Sequence, residues 1–238
     1  MIEHVYRRAS EARGVDAVIV ATDDERIAAC VEGFGGVARM TRRDHRTGTD
    51  RVAEVAASLE APLVVNLQGD EPLVRPELIE QVLAPFASDG VQMSTLRRAI
   101  DDPREYASPH VVKVVVDRND DALYFSRAPV PFVRGGTGET SGAAALRVGA
   151  GRLAFKHIGL YGYRREFLLR FAALPQTALE IAESLEQLRA LEHGVRIRTP
   201  ETAYDAIGVD TPEDLEHVRR QFDEPAAGTR ERRHEHSF

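Results

Sequence analysis

One apolar run in this sequence ends in polar and acidic residues at a position where chemistry is expected. Val64–Leu67 is followed directly by residues 68–72, Gln-Gly-Asp-Glu-Pro. A short apolar run is typical of a buried parallel strand, and open α/β sheets bind ligands beyond the carboxyl ends of such strands. Asp70 is therefore a candidate ligand of Mg²⁺ next to a phosphate group. A simple acidic turn after a strand is the alternative, because Gly, Asp and Pro favour turns.

A second carboxylate candidate, Asp210, precedes the last predicted helix. This helix has its own start signals, with Thr211 as the N-cap, Pro212 at the first position and Asp214 at the third. Since the cap does not need Asp210, this carboxylate is available to join Asp70 at a metal ion. Two aspartates that bridge phosphates through Mg²⁺ are common in phosphoryl and nucleotidyl transfer. A plain capping turn is the alternative interpretation.

The segment 41–51 is rich in arginine and reads Thr-Arg-Arg-Asp-His-Arg-Thr-Gly-Thr-Asp-Arg. It follows a predicted strand and enters a predicted helix. Backbone N–H groups at a helix start and arginine side chains can together hold an anion or a nucleotide. Taken alone, the segment also fits a surface loop with a helix cap at Thr49 or Asp50.

A third polar group combines the predicted strand 157–164 with the helix predicted over 178–193. We expect the core stripe of this helix to contain Ile181, Leu185 and Leu188, so that the neighbouring polar residues meet a cleft. Four side chains of the group can bind the hydroxyl and carboxylate groups of a polar substrate: His157, Tyr161, Glu186 and Gln187. A packed strand and an ordinary helix surface are the alternative.

The elements that must position these residues alternate between strands and helices up to residue 83. Apolar runs at 16–22, 37–41 and 63–68 predict strands, and stripes between them predict helices. This alternation predicts an α/β fold with a three-layer, mostly parallel sheet. From residue 91 the strands follow one another without long helices, which indicates a meander or arm.

Composition narrows the function classes. The chain has 238 residues and a net charge of -7, which argues against a nucleic-acid-binding surface. Cys30 is the only cysteine, so an internal disulfide is excluded, and a reducing cytoplasm is the expected setting. We expect Cys30 to lie on a helix, with its side chain in the protein core. No apolar run reaches the length of a membrane span, and we expect no signal peptide. Motifs of serine, cysteine or zinc hydrolases are absent.

Five stretches, taken in order, resemble the 3-deoxy-D-manno-octulosonate (Kdo) cytidylyltransferases, also called CMP-Kdo synthetases. They are residues 40–51, 65–72, 124–128, 157–164 together with 185–189, and 208–215. The resemblance extends from Met1 to about Phe222, which we expect to form one domain with an arm at about 91–155. Residues 223–238 are charged and without pattern, and we expect a disordered tail.

The resemblance implies a Rossmann-like nucleotidyltransferase sheet with a β dimerisation arm, and a reaction in which Kdo attacks the α-phosphate of CTP. The products would be CMP-Kdo, for lipopolysaccharide biosynthesis, and pyrophosphate, in a cytoplasmic homodimer. The resemblance implies that Mg²⁺ is held by Asp70 and Asp210. It implies that the cytidine side of the site is lined by Arg42, Asp44, His45, Thr47 and Gly48. It implies that the sugar acid is faced by Gln68, Arg127, His157, Tyr161, Glu186 and Gln187.

One departure from the family pattern concerns its start. Members begin with a strand and a glycine loop of the type I-P-A-R-x-x-S-x-R-L-P-G-K-P, and the sequence of residues 1–238 does not contain it. Since that loop holds the triphosphate, we expect residues 1–238 alone to bind CTP weakly and to aggregate. The alternatives are a cytidylyltransferase for another sugar acid, of sialic acid or amino-Kdo type, a glycosyltransferase of similar fold, or an inactive remnant.

Overall fold

The computed structural model describes residues 1–132, 147–148, 151–206, 208–209 and 211–223. Asp210 and the predicted tail beyond Asp223 lie outside these residues. None of the helices within the described ranges is long and apolar enough to cross a membrane.

Strands and helices alternate in the first part of the chain, as the apolar pattern predicts. The order is α1 (Ile2–Ser10), β1 (Val20–Thr22), α2 (Glu25–Gly33), β2 (Ala38–Met40), α3 (Gly48–Ala57), β3 (Leu63–Asn66) and α4 (Pro76–Leu83). Pro76 occupies the first turn of α4, where its missing N–H costs no helical hydrogen bond. Leu78, Ile79 and Val82 are the buried face of this helix. The local signals therefore define these elements.

The second part of the chain is richer in strands. It contains β4 (Met93–Ala99), α5 (Pro103–Ala107), β5 (Lys113–Val116), β6 (Ala122–Ser126), β7 (Arg147–Val148), β8 (Gly151–Arg152), β9 (Phe155–Arg164), α6 (Arg165–Ala172), α7 (Ala178–Glu183), α8 (Gln187–Glu192), β10 (Ile197–Arg198) and α9 (Pro212–Asp223). Thr211 and Asp214 exchange hydrogen bonds at the start of α9, which confirms the predicted cap.

The long strand β9 organises the main sheet, whose order is β10-β4-β9-β5-β6 with β3 also paired to β9. β9 runs antiparallel to β3, β4 and β5, while β10 runs parallel to β4. Four strands of the sheet, β3, β4, β5 and β10, therefore share one direction. β1 and β2 form a separate parallel ladder. The α/β class is confirmed, and within the described ladders β1 pairs only with β2 and β3 only with β9.

Helices cover the sheet and bury its apolar side chains. One cluster lies between the sheet and α3, α6 and α8, and contains Phe125, Tyr163, Phe167, Phe171 and Leu188. A second cluster contains Val5 and Ala9 of α1 with residues of α4 and of β9. Burial of these side chains removes apolar surface from water and fixes the carboxyl ends of the strands relative to the helices.

Two expectations about helices are wrong. The helix predicted over 178–193 is broken at Ser184, whose φ of 53° places it in the left-handed region, so α7 and α8 are separate. Ile181, expected in the core, is consequently 63% exposed, although Leu185 and Leu188 are buried. Cys30 is also exposed, because α2 packs through Ala28 and Val31 on its other face.

Candidate active site

The carboxyl end of β3 carries Asp70, as the sequence predicts. Its carboxylate has no hydrogen-bond or ion-pair partner among the described residues. The backbone N–H of Val209 donates to the Asp70 carbonyl oxygen at 2.9 Å. Val209 immediately precedes Asp210 in the sequence, so this contact joins the neighbourhoods of the two predicted metal ligands, although Asp210 itself lies outside the described residues.

Glu71 adds a second carboxylate at the same loop. Burial, followed by the nearby charge of Asp70, raises the pKa of Glu71 to about 7. Its Oε2 atom is buried without a hydrogen-bond partner among the described residues. Within these residues no three histidine, cysteine or acidic side chains converge on a metal position. Since Mg²⁺ is commonly held by one or two carboxylates together with phosphates, the Asp70 carboxylate fits that ion without a cluster of three protein ligands.

The arginine-rich segment reaches the same edge through the start of α3. Thr47 is the N-cap, since its hydroxyl accepts the Asp50 N–H at 3.1 Å, and the cap alternatives Thr49 and Asp50 are therefore wrong. A Cβ placed on Gly48 would lie 3.7 Å from the amide of Gln68. The start of the predicted nucleotide segment therefore lies next to the end of β3, and the absence of a side chain at Gly48 leaves space beside the Gln68 amide.

Glu54, on α3, organises the earlier part of the segment. Its Oε2 atom accepts a short hydrogen bond from the His45 ring and the backbone N–H of Arg42 at 3.3 Å. The hydrogen bond from His45 holds the pKa of Glu54 below its usual value. Arg42 also lies 3.7 Å from the Asp44 carboxylate. Three predicted nucleotide-binding residues are therefore arranged around one helix carboxylate.

Glu186 connects the nucleotide segment to the predicted sugar side. The hydroxyls of Thr47 and Thr49 donate to its two carboxylate oxygens at 3.0 and 2.5 Å. Arg189 donates to Oε1 at 3.3 Å. Burial raises the pKa of Glu186, and the two threonine hydroxyls oppose this rise. Glu186 therefore ties the start of α3 to the start of α8, where the amide nitrogen of Gln187 is buried without a partner among the described residues.

The predicted sugar side continues along β9. The His157 ring lies between Phe125 and Tyr161, with ring centres 5.0 and 5.4 Å away. Burial lowers the pKa of His157 to about 3 and raises the pKa of the Tyr161 hydroxyl. His157 is therefore neutral near pH 7. Its Nε2 atom lies 2.9 Å from the hydroxyl of Thr95 on β4.

Arg127 follows β6 and is held by its backbone and its side chain. Glu183 accepts the Arg127 N–H at 2.9 Å and the Ser126 hydroxyl at 2.6 Å. The Arg127 guanidinium donates to the carbonyl oxygens of Glu183 and Pro109. The buried Lys113 ammonium donates to the carbonyl oxygens of Ser108, Val111 and Arg127. These contacts anchor the loop that presents Arg127.

The predicted site residues fall into linked groups. One continuous group contains Thr47, Gly48, Gln68, Glu186, Tyr161 and His157, and Asp70 follows Gln68 in the same loop. The second group is the Glu54 cluster of Arg42, Asp44 and His45. Arg127 lies in a third. The sequence analysis missed Glu54, Thr95 and Glu183. Only Glu54 had a signal in the sequence, because it lies one turn after Asp50 on the helix that follows the arginine-rich segment.

Comparisons with known proteins agree with this geometry. A family model described as cytidylyltransferase matches residues 1–197. The 3-deoxy-manno-octulosonate cytidylyltransferases of Pelobacter propionicus and Geobacter sulfurreducens are each 54% identical, over 93% and 92% of this chain and 87% of theirs. A CMP:2-keto-3-deoxy-manno-octonic acid synthetase solved with CTP aligns with a TM-score of 0.84 and 46% identity, over 93% of this chain and 87% of the other.

Proposed function

The chain belongs to the cytidylyltransferase family. We propose that it transfers the CMP group of CTP to Kdo, with CMP-Kdo and pyrophosphate as products. The observation that carries this proposal is the proximity of Gly48 to Gln68, which places the predicted nucleotide segment beside the loop that bears Asp70. Relatives that are 54% identical over the aligned residues are named for this activity. The other sugar acids and the inactive remnant have no comparable support.

The reaction forms one bond and breaks one bond at phosphorus. The anomeric hydroxyl oxygen of Kdo attacks the α-phosphorus of CTP, and the bond from that phosphorus to the bridging oxygen of the β-phosphate breaks. Pyrophosphate leaves with the bonding electrons, and the hydroxyl proton passes to solvent. Such a transfer requires positioning and charge stabilisation rather than a covalent enzyme intermediate.

Mg²⁺ is the proposed cofactor, and Asp70 and Asp210 are its proposed protein ligands. When bound, this ion would neutralise phosphate charge and favour departure of pyrophosphate. The Asp70 carboxylate, which has no partner within the described part of the chain, supports the assignment, together with the hydrogen bond from Val209 to the Asp70 carbonyl oxygen. The raised pKa of Glu71 means that this neighbour carries less negative charge near neutral pH than an ordinary glutamate.

Substrate positioning is divided between the two sides of the site. On the cytidine side we assign Arg42, Asp44, His45, Thr47 and Gly48. On the sugar side we assign Gln68, Arg127, His157, Tyr161, Glu186 and Gln187. Glu186 accepts both threonine hydroxyls of the α3 start, so it also holds the two sides together. The amide nitrogen of Gln187 has no partner among the described residues, and we assign it as a donor to a substrate oxygen.

We further propose a homodimer formed by the arm at about 91–155. β6 is an edge strand of the described sheet, and Leu123 on it and the nearby Phe132 are exposed. Because an open edge with apolar side chains favours association, a second copy is a suitable partner. Since CTP and its products are handled in the cytoplasm, we place the reaction there, as a supply of activated Kdo for lipopolysaccharide biosynthesis.

Pyrophosphate release from CTP tests the proposed function. At a CTP concentration high enough to offset the weak CTP binding expected of residues 1–238, we expect release that depends on Kdo and on Mg²⁺, with much weaker release when a sialic acid replaces Kdo. The variant Asp70→Asn should reduce turnover at least 100-fold, because the metal loses a charged ligand. Asp89→Asn is the matched control, since Asp89 is exposed and precedes the start of β4, at the opposite end of the strands from Asp70. Kdo-independent release, or equal rates for the two variants, would contradict the proposal.

A further inference from the structure

A β-bulge separates two parts of the ladder between β4 and β9. Ser94 pairs with Gly162 and Leu96 pairs with Ile158, so β9 has more residues than β4 across this interval. Thr95 lies between the two pairs and is fully buried. Bulges redirect side chains and carbonyl groups, and they occur frequently beside functional sites. On β9 the interval lies between Ile158 and Gly162, so His157 comes just before it and Tyr161 lies inside it.

The Thr95 hydroxyl has three polar neighbours at the bulge. Its Oγ1 atom lies 2.9 Å from the carbonyl oxygens of Ile158 and Leu160 and 2.9 Å from Nε2 of His157. The two carbonyl oxygens can only accept, and the hydroxyl has a single proton to donate. The Thr95 hydroxyl therefore donates its proton to a carbonyl oxygen, because a carbonyl oxygen cannot donate in return, whereas Nε2 of His157 can carry a proton. The remaining lone pair of Oγ1 then accepts a proton from Nε2–H of His157.

We propose that Thr95 is a positioning residue that holds His157 in the Nε2–H tautomer, so that Nδ1 accepts a hydrogen bond from a hydroxyl group of the sugar acid. This inference rests on the proposed function for the identity of the ligand. Nδ1 of His157 has no hydrogen-bond partner among the described residues. The ring planes of Phe125 and Tyr161 restrict the rotation of the imidazole, and the tautomer therefore decides what the free nitrogen offers.

This arrangement makes His157 a selective acceptor. A neutral imidazole with its proton on Nε2 has only a lone pair at Nδ1, which attracts a hydroxyl donor and disfavours the substrate carboxylate. The low pKa of His157 also makes the ring a weak base near neutral pH, so its role is to orient the sugar rather than to remove a proton. Removal of the Thr95 hydroxyl would leave the imidazole free to move its proton to Nδ1.

The tautomer can be measured directly on the full chain. We would label the protein with ¹⁵N-histidine and record long-range ¹H–¹⁵N correlation spectra at pH 7, with His157→Gln identifying the signals of this residue. The expected pattern has the proton on Nε2. Thr95→Val should shift the proton partly to Nδ1, whereas Thr95→Ser should keep the original pattern. A proton on Nδ1 in the unaltered protein would overturn the inference even if Thr95→Val failed to fold.

Kinetics separate a positioning role from a structural one. Thr95→Val should raise KM for Kdo about tenfold while KM for CTP stays unchanged, because one hydrogen bond to the sugar is lost. Thr95→Ser should restore the KM for Kdo. Equal increases in both KM values would show a structural defect and overturn the inference. If the unaltered protein did not couple CTP to Kdo, the proposed function would fail. The spectra would still test whether Thr95 holds His157 in the Nε2–H tautomer.

Discussion

A buried ion pair beneath the candidate site provides a demanding test of the structure. Arg189 and Glu180 are only 4% and 5% exposed in their side chains. Nη2 and Nε of Arg189 donate to the two carboxylate oxygens at 2.5 and 2.8 Å. The guanidinium carbon lies 4.9 Å from the ring centre of Phe171, and Nη2 also reaches Glu186. Arg189 therefore links the protein interior to the helix that carries two predicted sugar-binding residues.

Replacement of Arg189 by methionine should destabilise the protein strongly. The variant fills much of the volume but leaves the Glu180 carboxylate buried without its partner. Removal of one member of a buried pair costs about 3–5 kcal/mol of unfolding free energy. For a chain of this size each kcal/mol corresponds to roughly 2–4 °C in Tm, so we expect Tm to fall by about 6–20 °C.

The pH dependence of the loss follows from the pKa of Glu180. Burial alone would raise that pKa, but the hydrogen bonds from Arg189 and from the backbone of Thr177 hold it below its usual value. A lowered carboxyl pKa stabilises the folded state above the unfolded pKa, and this contribution is lost as the pH falls. The difference between the unaltered protein and Arg189→Met should therefore shrink below about pH 4.5.

Urea unfolding followed by circular dichroism at pH 7 and pH 4 measures both effects. Arg7→Met is the matched control, because Arg7 and Glu3 form a pair whose side chains are 61% and 45% exposed. An exposed pair of this type contributes about 0.5 kcal/mol or less. If Arg189→Met lost less than about 1 kcal/mol at pH 7, or as little as Arg7→Met, the buried pair would not stabilise the fold as argued.

Three further outcomes are expected. Folded His157 has a pKa of about 3, so it takes up no proton near pH 5, whereas the unfolded chain does. Between pH 6.5 and 5 the unaltered protein should therefore lose about 1.6 kcal/mol relative to His157→Gln, and a pH-independent difference in chemical denaturation would contradict this. Glu54→Gln should raise KM for CTP about tenfold with little change in KM for Kdo, since the carboxylate orients Arg42 and His45; equal changes in both KM values would place Glu54 outside the nucleotide side. Lys113→Met should cost about 3 kcal/mol in urea unfolding, because three carbonyl oxygens lose their donor, and an unchanged midpoint would refute that anchor.

Much of the fold could be predicted from local patterns. The apolar runs around β1, β2 and β3, the proline at the start of α4 and the cap formed by Thr211 and Asp214 are all signals within a few residues of one another. Such signals are the spacing of apolar residues and the residue types at helix ends, and both can be read directly from a sequence. Five ordered motifs likewise indicated the family, and the apolar run that ends at Leu67 indicated that Asp70 follows a strand.

The partners of the site residues were decided by tertiary structure alone. Thr49 and Glu186 are separated by 137 positions, and Thr95 and His157 by 62, so no local pattern could pair them. The break at Ser184 was equally hidden, because the apolar spacing of residues 178–193 suits one continuous helix. Period and caps describe what a segment can form by itself. Which hydroxyl meets which carboxylate depends on how the sheet and helices pack, because burial forces each polar group to find a partner that its own segment does not supply.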